Sequence, residues 1–151
     1  MPTFINDPTL PKPDFPGSHM VVDEHHVFIS GLTIADITDE SVTHSHDAGK
    51  ETHRIMRELE RMLRQEELDL SDVVRVDIHL TDLDDLNKVN SAYAEFFEPG
   101  RFPARTCTEA SRLQGASKVE ITLMASRRHA DAPSDAKDSD DTVPDSDTGP
   151  E

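Results

Sequence analysis

Cysteine is nearly absent from this 151-residue chain: Cys107 stands alone. No disulfide can form within the chain, and no cysteine-rich metal site is available. Long apolar runs are missing as well. No stretch approaches the 18 or so residues a membrane helix needs, and no basic start leads into a short apolar segment of the secretory type. The expectation is therefore a cytoplasmic protein with no membrane partner. Basic charge is scarce too. Fifteen Lys and Arg face 31 Asp and Glu, a formal net charge of −16. Nucleic-acid binding proteins normally display a basic footprint, so a nucleic-acid partner is not expected.

The C-terminal stretch lacks what a core requires. From His129 to Glu151 there is no aromatic residue and a single Val, while seven Asp and one Glu face one Lys. That composition cannot bury enough apolar surface to offset the entropy of ordering. The reading is thus an extended, Pro-rich lead-in over residues 1–14, one folded domain over 15–128, and a disordered acidic tail over 129–151. The tail's charge of about −7 is under half of the total by simple counting, so the folded part is acidic as well.

Within the domain the periodicities are readable. Met20–Val22 and Val27–Ile29 read as two short strands joined by a turn at Asp23-Glu24. Gly31 follows and marks a bulge or a close approach of backbone. From about His46 to Arg64 the period changes. Ile55, Met56, Leu59, Met62 and Leu63 share one face of a helix whose other face carries Arg54, Arg57, Glu58, Glu60, Arg61 and Arg64. Strict alternation through Val74–Leu80 is a strand with one buried face. Asp82 or Asp84 offers an N-cap. Leu86, Val89, Tyr93, Phe96 and Phe97 form the stripe of a second helix, stopped at Pro99-Gly100. Residues 105–110 and 119–124 close the domain as strands, with Gln114-Gly115-Ala116 between them.

The order ββαβαββ predicts an α+β fold: a mixed sheet with two helices on one face. The opposite face then needs a cover, and in so short a chain a second subunit is the economical one.

Phe102-Pro103-Ala104-Arg105-Thr106-Cys107, followed by Ser111-Arg112-Leu113 and Val119-Glu120-Ile121, resembles the C-terminal signature of the RidA/YjgF family. Upstream, Asp82–Leu86 with Val89–Tyr93 and Phe96-Phe97, and Val27–Gly31, are similar to that family in the same order, covering roughly residues 15–127. The resemblance implies a chorismate-mutase-like fold, a homotrimer with clefts between subunits, and no cofactor. It also implies an activity: hydrolysis of reactive enamine or 2-imino acid intermediates, of the 2-aminoacrylate type, to 2-keto acids and ammonia, as in a 2-iminobutanoate/2-iminopropanoate deaminase. The small-molecule partner is then a 2-imino acid or related carboxylate.

The resemblance assigns roles that the chemistry supports. Arg105 matches the carboxylate-binding arginine, and a planar guanidinium suits bidentate capture of a carboxylate. Glu120 matches a carboxylate that positions the hydrolytic water, ordinary general-base work. Its flanks Val119 and Ile121 point its side chain to the opposite face from theirs. The plain alternatives are a surface arginine and a solvated strand residue. Ser30 and Gly31 match a pocket wall, against a simple bulge at a strand end. Cys107 lines the family's pocket, and a small buried filler is the alternative. Asn90 is a weaker substrate-binding candidate, as a cap or a bond to a neighbouring loop. Tyr93 reads as core.

One departure stands out. Many deaminating members carry a Tyr where this chain has Gly17, and Phe15 or His19 is the available substitute. That departure favours the alternative function, a non-catalytic trimer binding a small carboxylate or a protein partner. Parts of the family bear an endoribonuclease label, against which the acidic charge argues. No metal is expected. His44 and His46, in the run His44-Ser45-His46-Asp47, have possible ligand spacing but the pair lacks a third ligand, and His25-His26 on a strand face opposite ways.

Overall fold

The computed structural model describes residues 1–37 and 47–127. The expected disordered tail and the His44/His46 pair lie outside the described residues.

The sheet is built from β1 (Thr3–Ile5), β2 (Met20–Val22), β3 (His26–Leu32), β4 (Val73–Leu80), β5 (Ala104–Glu109) and β6 (Val119–Ser126). A four-residue turn of helix, α1 (Ile34–Ile37), precedes the two long helices α2 (Ala48–Gln65) and α3 (Leu86–Ala94). The strands lie in the order β1-β2-β3-β6-β4-β5. Only β4 and β5 pair in parallel, and α3 is the crossover that joins them. The mixed sheet of the α+β reading is therefore present, with one strand more than expected.

Each element has a local cause. The hairpin β2–β3 turns on Asp23, whose Oδ1 accepts from the backbone of His25 (2.8 Å) and His26 (2.6 Å). Helix α2 starts at Asp47, which accepts from the Lys50 N–H at 2.9 Å. Its buried residues include the expected Ile55, Met56, Leu59, Met62 and Leu63. Asp82 does cap, but what it caps is a 3₁₀ turn, Leu83–Asp85, leading into α3. Phe96 and Phe97 fall beyond the helix end and still pack on the core.

The core is a layer between helices and sheet. Val27, Ile29, Val76, Ile78, Leu80, Val119, Ile121, Leu123 and Ala125 point from one face of the sheet at α2 and at Val89 and Tyr93 of α3. The opposite face holds Arg75, Asp77, His79, Thr106, Thr108, Glu120 and Thr122 beside the exposed Phe28. Arg75 bonds to Asp77 (2.9 Å) and Thr106 (2.7 Å), and His79 Nδ1 meets Thr108 Oγ1 at 2.7 Å. This face suits water, as one side of a sheet often does. Its apolar content therefore does not demand a cover.

The lead-in over residues 1–14 is corrected in one respect: it contributes β1, antiparallel to β2. Three residues are too few to display a strand's alternation. The stretch is pinned by a buried carboxylate. The Asp7 side chain is fully buried and pairs with Arg61 on α2 at 3.1 Å. It also accepts from the N–H (2.8 Å) and hydroxyl (2.7 Å) of Thr9, and the Asp7 N–H donates to His19 Nδ1 at 2.8 Å. Burial alone would raise the Asp7 pKa. The Thr9 hydrogen bonds and the Arg61 charge outweigh it and hold the pKa below 3.8. A depressed carboxyl stabilises the fold above its ordinary pKa, and the contribution is lost as pH falls through the folded value. Asp7→Asn is expected to cost about 2 kcal/mol at neutral pH, below the roughly 3–5 kcal/mol of a fully buried broken pair because Arg61 is partly solvated. Thermal melts of both proteins should differ at pH 7 and converge as the pH is lowered through the carboxylate range.

Candidate functional site

The candidate residues fall into two groups on opposite faces of the sheet. On β5, Arg105 and Cys107 are in register with Val76 and Ile78 of β4, so they point to the helix side. The Arg105 guanidinium carbon stacks over the Tyr93 ring, 5.0 Å from its centroid, a cation–π contact. Among the described residues no carboxylate pairs with Arg105. The half-buried Cys107 follows two residues along the strand. Burial pushes its thiol up, only partly opposed by Arg105, so it is a thiol at neutral pH and a poor nucleophile. Burial also pushes the Tyr93 phenol up, to about 12, with Arg105 again opposing. Tyr93 is accordingly neutral throughout the working range. One turn earlier on α3 stands Asn90. Its Oδ1 and the Tyr93 hydroxyl are buried with no hydrogen bond from the described residues. Such buried polar atoms are rare and call for a partner.

The second group lies around β3 and β6. Glu120 is in register with His79, on the face away from the helices. Gly31 sits in a bulge: Ser30 and Gly31, between Ile29 and Leu32, face the single residue Thr122 between Leu123 and Ile121 on β6. A Cβ at Gly31 would lie 2.8 Å from the Glu120 carboxyl. Only glycine leaves room there for the carboxylate. Ser30 is tied back, its hydroxyl donating to the Ser18 carbonyl at 2.6 Å. Ser30 and Gly31 also line a groove of about 650 Å³, walled by Pro13, Phe15, His19 and Gln114. Gly115 shapes its far side. With φ +65 it takes the left-handed conformation, and a Cβ would lie 2.3 Å from that of Ala35 on α1.

Within one chain the structure brings Ser30, Gly31 and Glu120 together, and Arg105 with Cys107 and Tyr93. It does not bring Arg105 to Glu120: β4 separates their strands and the sheet separates their side chains. Tyr93 carries more than the core role read from sequence, because β5 lays Arg105 on its ring. Phe15 packs against Gly17, where a Cβ would lie 2.6 Å from its ring. Both Phe15 and His19 line the groove, and His19 Nδ1 also accepts from the Asp7 N–H. Among the described residues no group of three or more His, Cys, Asp or Glu is placed to hold a metal, and no helix is long and apolar enough to cross a membrane.

Gly31→Ala tests the bulge. The added methyl must displace the Glu120 carboxyl, so kcat for the reaction proposed below is expected to fall at least about tenfold. The melting temperature should move little, because the methyl meets only the end of the flexible Glu120 side chain.

A mixed sheet with both long helices on one face, an arginine at its edge and a carboxylate on its far side defines a small α+β protein with a divided polar site. The comparisons with known proteins give that class its family. The family model described as Endoribonuclease L-PSP matches residues 9–127, and the chain belongs to this family, that of the YjgF/RidA proteins. A RutC family protein of Pyrococcus abyssi is 33% identical over 116 residues, 76% of this chain and 89% of the relative. Protein DfrA of Myxococcus xanthus is 39% identical over 99 residues, 65% of this chain and 73% of its own length. Among solved structures, the Rid family protein YyfA of Yersinia pestis superposes with a TM-score of 0.75 at 24% identity, covering 84% of this chain and all of that one. Escherichia coli TdcF, solved with bound serine, has a TM-score of 0.73 at 23% identity, covering 83% and 99%.

Proposed function

We propose that this protein is a deaminase that hydrolyses reactive enamine and 2-imino acid intermediates to 2-keto acids and ammonia, at a site completed between two copies of the chain in a homotrimer. The observation that carries the reading is Arg105: a guanidinium stacked on Tyr93, at a sheet edge, with no carboxylate paired to it among the described residues. Placed so, it offers both arms of its fork to a small substrate carboxylate. The serine bound by TdcF is a small molecule of that carboxylate-bearing kind.

The chemistry follows from the parts. Arg105 holds the carboxylate and orients the adjacent imine carbon. Cys107, an uncharged thiol, and Tyr93 form the wall beside it. Glu120 of a neighbouring copy accepts a proton from water as that water adds to the imine carbon. Glu120 passes that proton to the imine nitrogen, giving the carbinolamine; the carbinolamine's hydroxyl proton then moves to the same nitrogen through Glu120 as the C–N bond breaks, and ammonia leaves with a 2-keto acid. Arg105 and Glu120 of one chain cannot serve one substrate, because they point to opposite sides of the sheet. A head-to-tail arrangement of copies, edge of β5 against the β3–β6 face, supplies both to each site.

Gly17 favours a second reading, a trimer of the same fold that binds a small carboxylate or a protein partner without turning it over. Ammonia and keto-acid release from 2-iminopropionate, generated in place by an amino-acid oxidase, separates the two. Acceleration above the spontaneous rate is expected. Binding of a small 2-keto acid with no acceleration would establish the second reading.

A further inference from the structure

The solvent ridge of α2 carries an arrangement that the deaminase reading does not use. Lys50, Arg54, Arg57, Arg61 and Arg64 recur at intervals of four, three, four and three residues. At 100° per residue they fall on one stripe, opposite the buried residues of the helix. Four of the five are exposed and Arg61 is partly so. One third of the chain's 15 basic residues thus stand on about 21 Å of one helix, in a protein of charge −16. Arg61 is held by Asp7 and Glu58, and Arg64 by Glu60. Among the described residues no carboxylate pairs with Lys50, Arg54 or Arg57. Like charges at this spacing destabilise a helix unless a counter-charge meets them.

The chain carries its own counter-charge. Residues 129–151 hold seven Asp and one Glu against one Lys. Arg127, two residues before the segment and just past β6, is paired through Nη1 with Glu66 at the C-terminal end of α2, at 3.2 Å. From there the next ridge residue is Arg64, and 23 residues can reach about 75 Å, several times the length of the stripe. Tethering places this polyanion at an effective concentration that a separate partner seldom reaches.

We propose that the acidic C-terminal segment, residues 129–151, binds the Lys50–Arg64 ridge of α2 in the same chain, masking its positive charge.

Zero-length carbodiimide cross-linking of the full-length protein, mapped by mass spectrometry, tests this. Lys50 is the only lysine on the ridge; Lys88 and Lys118 lie beside the first turn of α2, against Gly49 and Glu51, and Lys12 is the comparison. At low salt the tail carboxylates are expected to join Lys50 within one chain at five or more times the yield of Lys12. The yield should fall at least fivefold in the double variant Arg54→Glu/Arg57→Glu, both exposed positions, and likewise in 1 M KCl, where screening shortens to about 3 Å. Equal yields at Lys50 and Lys12, or no fall in the double variant, would overturn the proposal. Joints found only between two chains would overturn it in favour of a second copy.

Discussion

Replacing Arg105 with alanine is expected to lower kcat/KM for 2-iminopropionate hydrolysis by two to three orders of magnitude, about 3–4 kcal/mol of lost transition-state stabilisation. The size follows from its surroundings. Among the described residues no carboxylate pairs with the half-buried guanidinium, so its bidentate fork can serve substrate. Much of the loss should appear in KM, because the carboxylate is present in both ground and transition states. Arg105→Lys should fall between the wild type and the alanine variant, since an ammonium keeps the charge and loses the planar fork and the stacking on Tyr93. Coupled ammonia detection gives both constants. An Arg105→Ala enzyme with unaltered kinetics would remove the anchor from the account.

Glu120→Gln is expected to lower kcat by about 10²–10³ with little change in KM, the signature of a group that assists proton transfer without holding substrate. The amide fits the space over Gly31 as the carboxylate does, so folding should be spared. The contrast between the two variants is itself informative: Arg105 should move KM strongly and Glu120 should not.

Much of the fold was legible because period reveals burial. Ile55 to Leu63 announced α2, and alternation announced β4 and β6. The alternation of β6 also told which way Glu120 points, since Val119 and Ile121 fix the phase. No such signal exists on β5. Ala104, Thr106 and Thr108 alternate with Arg105 and Cys107, neither set is plainly apolar, and only the parallel register with Val76 and Ile78 sets the phase. That Arg105 and Glu120 lie on opposite sides of the sheet was therefore hidden. The groove was hidden for another reason. Its walls come from loops distant in sequence, around Pro13, His19 and Gln114, and loops carry no period. β1 was too short to read, and what fixes the stretch after it includes an ion pair between Asp7 and Arg61, 54 residues apart. The stacking of Arg105 on Tyr93 left no trace at all, since Tyr93 fits its helix stripe as ordinary core.

The central claim is that each site takes Arg105 from one copy and Glu120 from another. Co-expression of Arg105→Ala and Glu120→Ala chains in equal amounts tests it most directly. If chains assemble at random and head to tail, each site has an intact Arg105 half of the time and an intact Glu120 half of the time. About a quarter of wild-type deaminase activity should then return, although each variant alone is nearly inactive. Activity no greater than the sum of the two variants measured separately would contradict the shared site.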